Sequence, residues 1–311
     1  MPRSGTTWIG KIFDSCPTTR YFHEPDTRQR IPLSLFTDPR DSEAQRCLRE
    51  YAARIPSIRD CSVIGKTPLF HKASMSRLGF ELYRLGVLAT KGASRYLPVG
   101  KAPYVPRLHA DEVVVWKSIE SLGRTGTLLE AIAGIQVIQI LRHPCGYLNS
   151  VMEGDAKRHF TGQTASSEDM GIYALISGTA TAKRYGLDLD RLAALPPWQR
   201  LAWRWVVFNE EALHQAKGST AHHLVRYEDL CKDPKSVTRQ LFDFCQLPYR
   251  NQTDAFLGES TAREEARYYS VYKDPMKSAW KWKRQLAPEM VEDVRNIVLQ
   301  TEIGGLYQDA F

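Results

Sequence analysis

Cysteine is sparse and scattered. The six residues Cys16, Cys47, Cys61, Cys145, Cys231 and Cys245 form no CxxC pair, which argues against a disulfide scaffold or a thiolate zinc site and for a reducing compartment. No run of about 18 uninterrupted apolar residues occurs. The most apolar stretch, Leu128 to Leu141, is broken by Glu130, Gln136 and Gln139, so no segment of the sequence reads as a membrane span. Blocks of like charge are also missing: 42 Lys and Arg against 35 Asp and Glu leave +7 over 311 residues, a mild balance that suits a polyanionic small ligand or an acidic substrate better than a nucleic acid. No internal repeat, domain linker or metal-ligand cluster stands out. The expectation is a single domain over residues 1–311, without a metal. It reads as cytoplasmic, provided that no targeting segment precedes Met1. The oligomeric state is not legible.

What is present is alternation. Short apolar runs at Arg20 to Phe22, Val113 to Trp116, Val137 to Leu141 and His223 to Arg226 read as strands, the last three rich in β-branched residues and ending at polar ones. Helical spacing falls at Thr6 to Asp14, Thr125 to Ala133, Cys145 to Glu153, Trp198 to Gln215, Lys235 to Cys245 and Glu289 to Leu299. This pattern predicts an α/β fold with a mostly parallel central sheet flanked by helices. Asp233 and Pro234 supply a helix start. Met290, Val294, Ile297 and Val298 share one face of the last helix, a core face. Trp198, Trp203, Trp205 and Phe208 recur at near-helical spacing and read as core. Residues 90–110 and 154–197 fit the pattern poorly and read as surface or acceptor-binding segments, the second with a small apolar helix.

The stretch PRSGTTWIGKIF, Pro2 to Phe13, sets small residues where a helix begins. The first N–H groups of a helix lack intrahelical partners and carry the positive end of its dipole, so this loop is suited to an oxyanion. A nucleoside-triphosphate loop would read GxxxxGK[ST]. From Gly5 the chain supplies Gly10 and Lys11 but then Ile12 in place of the metal-holding hydroxyl, and Lys11 reads as a solvent-facing residue. A P-loop kinase or NTPase is disfavoured on these grounds.

PRSGTTW resembles the 5′-phosphosulfate loop of sulfotransferases that use 3′-phosphoadenosine 5′-phosphosulfate (PAPS). VIQILRHPCGYLNSV resembles that superfamily's 3′-phosphate element. HHLVRYEDLCKDPKSVTRQLFDFCQLP and WKWKRQLAPEM resemble its later YEDL and WxxxL segments, the last through Trp282 and Leu286. The likeness runs from residue 2 to about 290 in family order, nearest to the carbohydrate and protein-tyrosine branches and related bacterial enzymes. It implies a P-loop-like fold and PAPS as co-substrate without a metal. Arg3, Ser4, Gly5, Thr6, Thr7 and Trp8 would bind the phosphosulfate end, and Arg142 and Ser150 the 3′-phosphate. The planar fork of an arginine suits phosphate oxygens, and His143 reads as part of the turn that holds Arg142.

The implied reaction is an in-line transfer of a sulfuryl group to a hydroxyl of a carbohydrate or other polar, small-molecule or glycan acceptor. Glu24, in RYFHEPDTR, falls at the carboxyl end of a strand and is the expected general base. His23 is its rival, taken to point to the opposite face of the strand. Arg3 and Lys117 would neutralise charge around the transferred group, and Lys66 in GKTP is an alternative to Lys117. Arg28, Lys273, Lys281 and Lys283 are further basic candidates. A non-catalytic nucleotide- or polyanion-binding module is the third reading. The resemblance also implies a buried strand directly before PRSGTT, where this sequence has only Met1. The expectation is either an upstream segment or another part of the chain in that slot.

Overall fold

The computed structural model describes residues 1–156, 165–262 and 274–311. Strands form where the short apolar runs fall: β1 Thr19–His23, β2 Val113–Lys117, β3 Val137–Leu141 and β4 His222–Arg226. β1 pairs with β2 and β3 with β4, both in parallel. His23 lies opposite Lys117, and Leu141 opposite Arg226.

The longer helices are α1 Thr6–Asp14, α2 Ser42–Arg54, α3 Arg77–Ala93, α4 Pro144–Ala156, α5 Met170–Ser177, α6 Pro197–Gln215, α7 Pro234–Phe244, α8 Asn251–Ala262 and α9 Pro288–Leu299. Asp233 caps α7 as its sequence predicts, its carboxylate accepting from the Ser236 amide at 3.0 Å. α2 starts at a similar signal that the sequence reading passed over, with Asp41 accepting from the amides of Glu43 and Ala44. α3 extends through Ala93 into the stretch read as an irregular segment.

Three apolar clusters hold the layers together. α4, α6 and α9 share the first, with Trp203, Trp205 and Phe208 buried in it. α1, α7 and α8 pack with Ile140 of β3 and Val225 of β4 in the second. α2 and α3 cover Phe22 of β1 in the third.

The expected single sheet is present in two halves. Among the described residues no strand joins β2 to β3. Between them lies a cavity of about 630 Å³, walled by Val113–Lys117 on one side and Val137–Ile140 on the other, with Met1, Thr6 and Gly10 also lining it. Its walls are strand edges with no ladder partner, whose N–H and C=O groups favour pairing with a further strand. Among the described residues no segment pairs with either of these two edges.

Each wall strand is five residues long, and a strand rises roughly 3.3 Å per residue, so five added residues span the slot. A variant carrying five β-branched residues ahead of Met1 should melt more than about 5 °C higher, each kcal/mol being worth roughly 2–4 °C. An unchanged melting curve by circular dichroism would show that the cavity does not accept a strand.

Candidate functional site

The loop before α1 turns on backbone that side chains rarely adopt. Arg3 has φ 66° and Gly5 φ 85°. At Gly5 a Cβ would stand 2.4 Å from the Tyr227 ring, so glycine is required there both by conformation and by the close approach of that ring. The Gly5 carbonyl accepts from the amides of Trp8 and Ile9 at 3.0 and 3.2 Å. The amides of Thr6 and Thr7, in the first turn, have no carbonyl four residues earlier within the helix and face its N-terminal end. Ser4 is buried beside them.

The structure brings this loop against the turn that follows β3. Arg142 donates through Nη1 to the Arg3 carbonyl at 2.9 Å and through Nη2 to the Ser278 carbonyl at 2.8 Å. Its guanidinium lies 5.0 Å from the Tyr227 ring centroid. The Arg142 Nε is buried and has no hydrogen-bond partner among the described residues. Arg3 Nε in turn donates to Ser150 Oγ at 2.9 Å, which sets the Arg3 side chain beside the Arg142 and Ser150 pair and not only at the mouth of its own loop.

His143 keeps the turn rigid, in line with its sequence reading. It stacks on Trp282 at 4.5 Å, its amide donates to Glu228 at 2.9 Å, and burial lowers its pKa to about 3. The C-terminal WxxxL element closes over the same turn, Gln285 accepting from Asn149 at 2.8 Å.

Trp8 takes a different place from the one expected of a nucleotide contact. Its indole N–H donates to Ser260 Oγ at 3.1 Å and the ring is buried edge-on to Tyr227. The helical period turns it into the core with Ile12.

Lys11 also departs from expectation. It is fully buried, not solvent-facing. It is bound to Asp14, donates to the Lys66 carbonyl at 2.9 Å and packs near the rings of Tyr21 and Phe70. Burial lowers its pKa to about 8. Asp14 also holds buried Lys72 at 2.8 Å, so the cost of burying two ammonium groups is offset by a carboxylate and backbone carbonyls.

At the carboxyl end of the β1–β2 half, Glu24 donates its amide to the Lys117 carbonyl at 2.8 Å and adopts φ 49°. Lys117 Nζ is paired with the Glu24 carboxylate. Lys117 is buried, and desolvation holds its pKa below the ordinary lysine value against the opposing pull of Glu24.

The left-handed turn at Glu24 ends the strand alternation. His23 therefore does not point to the opposite face: its Nε2 lies 3.8 Å from Glu24 Oε1, and its Nδ1 shares a 2.7 Å hydrogen bond with Tyr21 Oη. Among the described residues only Arg3, Glu24 and Gln246 carry positive φ without being glycine. Two of the three are site candidates, and strained backbone of this kind collects at functional sites.

Asp26 was not foreseen. It is buried, accepts from Ser121 Oγ at 2.9 Å and is bonded to Ser118, which fixes the chain just beyond Lys117. Its signal was the pairing of EPD with the two serines of KSIES. Thr6 and Lys117 line the same cavity, which places the glycine loop and the Glu24–Lys117 pair on one edge of the divided sheet. Lys281 is bound to Glu153 at 2.7 Å, and Lys283 lies 4.8 Å from the Trp280 ring centroid. Arg28 is exposed on the surface. Lys273 lies outside the described residues.

A glycine loop ahead of α1 and an arginine turn after β3 meet beside the parallel strands of an α/β fold. The Sulfotransferase family model matches residues 1–251, and the chain belongs to that family. No curated protein matches it. Three solved structures are similar to it. The sulfotransferase domain from the curacin biosynthetic pathway shows 17% identity and TM-score 0.42, covering 96% of this chain and 94% of that one. The sulfotransferase domain from the Synechococcus PCC 7002 olefin synthase shows 15% and 0.44, covering 95% and 90%. Sulfotransferase STF9 from Mycobacterium avium shows 16% and 0.42, covering 100% and 75%.

Burial and the charges of Lys117, Lys66 and Lys11 hold the His23 pKa far below its ordinary value. An unfolded chain takes up the proton near pH 6.5 while the folded one does not. Stability is therefore present above pH 6.5 and declines as pH falls below it. Thermal melts of His23→Asn should show a shallower drop between pH 7 and pH 5 than the parent; equal slopes would remove His23 from this account.

Proposed function

We propose that the chain transfers a sulfuryl group from PAPS to the hydroxyl of a carbohydrate or other polar acceptor, with Glu24 as general base. The observation that carries this reading is the meeting of two anion-binding elements. The N-terminal loop, Arg3 to Thr7, and the Arg142 and Ser150 pair are joined by direct hydrogen bonds. A ligand with phosphoryl groups at both ends of one nucleoside fits two such elements better than a ligand with a single polyphosphate chain.

Other features fit a bound adenosine bisphosphate. The unpartnered Arg142 Nε is a donor suited to a phosphate oxygen. Gly5 permits close approach of a ligand to the backbone. Thr6 and Thr7 would supply amides and hydroxyls at the phosphosulfate, and the helix dipole would favour the charge there.

In the transfer, the acceptor oxygen forms a bond to sulfur as the bond from sulfur to the 5′-phosphate oxygen breaks. The electron pair leaves with that phosphate, and Glu24 takes the acceptor proton. Lys117 would hold the Glu24 carboxylate in place and offer positive charge to the sulfuryl oxygens. His23 is the weaker candidate for the base, because a group whose pKa is driven far down binds a proton poorly near neutrality.

A kinase or NTPase is disfavoured by Lys11, which is turned inward to Asp14 and the Lys66 carbonyl, and by the fully buried Ile12 at the metal-hydroxyl position. A non-catalytic binding module would lack any use for the Glu24–Lys117 pair.

Thermal shift should show stabilisation by adenosine 3′,5′-bisphosphate and none by ATP with magnesium. With labelled PAPS and a panel of hydroxyl acceptors, Glu24→Gln should lower turnover by at least about 100-fold, the scale of general-base catalysis, while leaving bisphosphate affinity within about threefold. Turnover that survives this change would assign the base elsewhere.

A further inference from the structure

α3 is apolar on more of its circumference than the fold covers. Tyr83, Val87 and Thr90 face inward and are buried. Leu78, Leu82 and Leu85 fall on a separate stripe at helical spacing and are 72%, 55% and 57% exposed. Tyr96 and Leu97, just past the helix, are 87% and 58% exposed. Solvent-facing leucines at single positions are ordinary, but a contiguous row on one helix marks a surface that meets something else.

The charge around that row indicates the partner. Residues 77–107 hold Arg77, Arg84, Lys91, Arg95, Lys101 and Arg107 against Glu81 alone, so that this stretch carries five of the chain's seven net positive charges. The balance that looks mild along the whole sequence is therefore concentrated. Arg77 and Arg84 lie on one flank of the leucine stripe, with Glu81 between them and the leucines and ion-paired to Arg84 at 2.7 Å. On the other flank Gly79 and Gly86 receive Tyr104 and Pro103 of the segment bearing Lys101 and Arg107, and Tyr104 is itself 45% exposed. Leucines bordered by arginine and lysine on both sides, with exposed tyrosines at the margins, are the composition of a helix that lies in the headgroup region of an anionic bilayer.

We propose that the face formed by α3 and residues 94–107 binds an anionic membrane surface, the leucines entering the acyl boundary and the basic residues meeting lipid phosphates. Contact is peripheral, since no helix among the described residues is long and apolar enough to cross a membrane. Lys91 Nζ, on the inner side of α3, donates to the Gly65 carbonyl at 2.9 Å, which ties the far end of the helix to the body of the chain.

The test is sedimentation of the purified chain with vesicles of phosphatidylcholine alone and of phosphatidylcholine with phosphatidylglycerol at three to one. The parent should partition onto the anionic vesicles at least about tenfold better than onto the neutral ones, and added salt should weaken it. Leu82→Glu with Leu85→Glu, and separately Arg84→Glu with Arg95→Glu, should each reduce binding to anionic vesicles by roughly tenfold or more. Because these side chains are exposed, all variants should melt within about 2 °C of the parent. The proposal is overturned if the parent does not sediment with anionic vesicles, or if both pairs of changes leave sedimentation unaltered. A concentration-dependent dimer that dissolves on the leucine changes, without vesicle binding, would assign the face to a second copy of the chain.

Discussion

The site depends on one knot of hydrogen bonds. Arg142 holds the carbonyl of Arg3, and Arg3 holds Ser150, so residues 139 and 147 positions apart in sequence are fixed against one another. The left-handed backbone at Arg3 costs on the order of 1–3 kcal/mol. Hydrogen bonds to charged groups return roughly 1.5–3 kcal/mol each, so the two together outweigh the strain. The loop is thereby held open toward the Thr6 and Thr7 amides.

Charge is distributed around this knot in an unusual way for so small a volume. Lys11, Lys72 and Lys117 are all buried near the first helix and the first strand pair, and each is paired with a carboxylate from the same region, Asp14 or Glu24. These pairs are not strong sources of stability, since desolvation consumes most of the Coulombic gain. Their effect is to keep cations at fixed positions beside a site that would receive anions, where they need not reorganise when charge moves. The divided sheet sits beneath them, and the two strand pairs are held in place by helices and not by a continuous ladder.

Much of this was legible in the sequence. β2 to β4 were found because their β-branched runs stop at polar residues, β1 as a short apolar run, and α7 because Asp233 and Pro234 mark its start. The two candidate elements that the structure brings together, the Arg3 loop and the Arg142 turn, were visible as short patterns of small and basic residues. Side-chain direction was less accessible. Lys11 was expected in solvent because its partners, Asp14 and the Lys66 carbonyl, are brought to it only by tertiary packing. Trp8 was assigned to the loop because sequence cannot show that Ser260 captures its indole. His23 and Glu24 converge because one residue adopts a left-handed conformation, which strand alternation does not foresee. The outward leucines of α3 look like any core stripe until burial is known.

The central claim is that one nucleotide spans both anion elements, and it is tested most directly by calorimetric titration with two ligands that differ only in the 3′-phosphate. The parent should bind adenosine 3′,5′-bisphosphate at least about tenfold more tightly than adenosine 5′-phosphate, because a charge-assisted arginine contact is worth roughly 1.5–3 kcal/mol. Arg142→Ala should erase that preference while leaving the monophosphate affinity within about threefold. Equal affinities in the parent, or an equal loss for both ligands in the variant, would contradict the account.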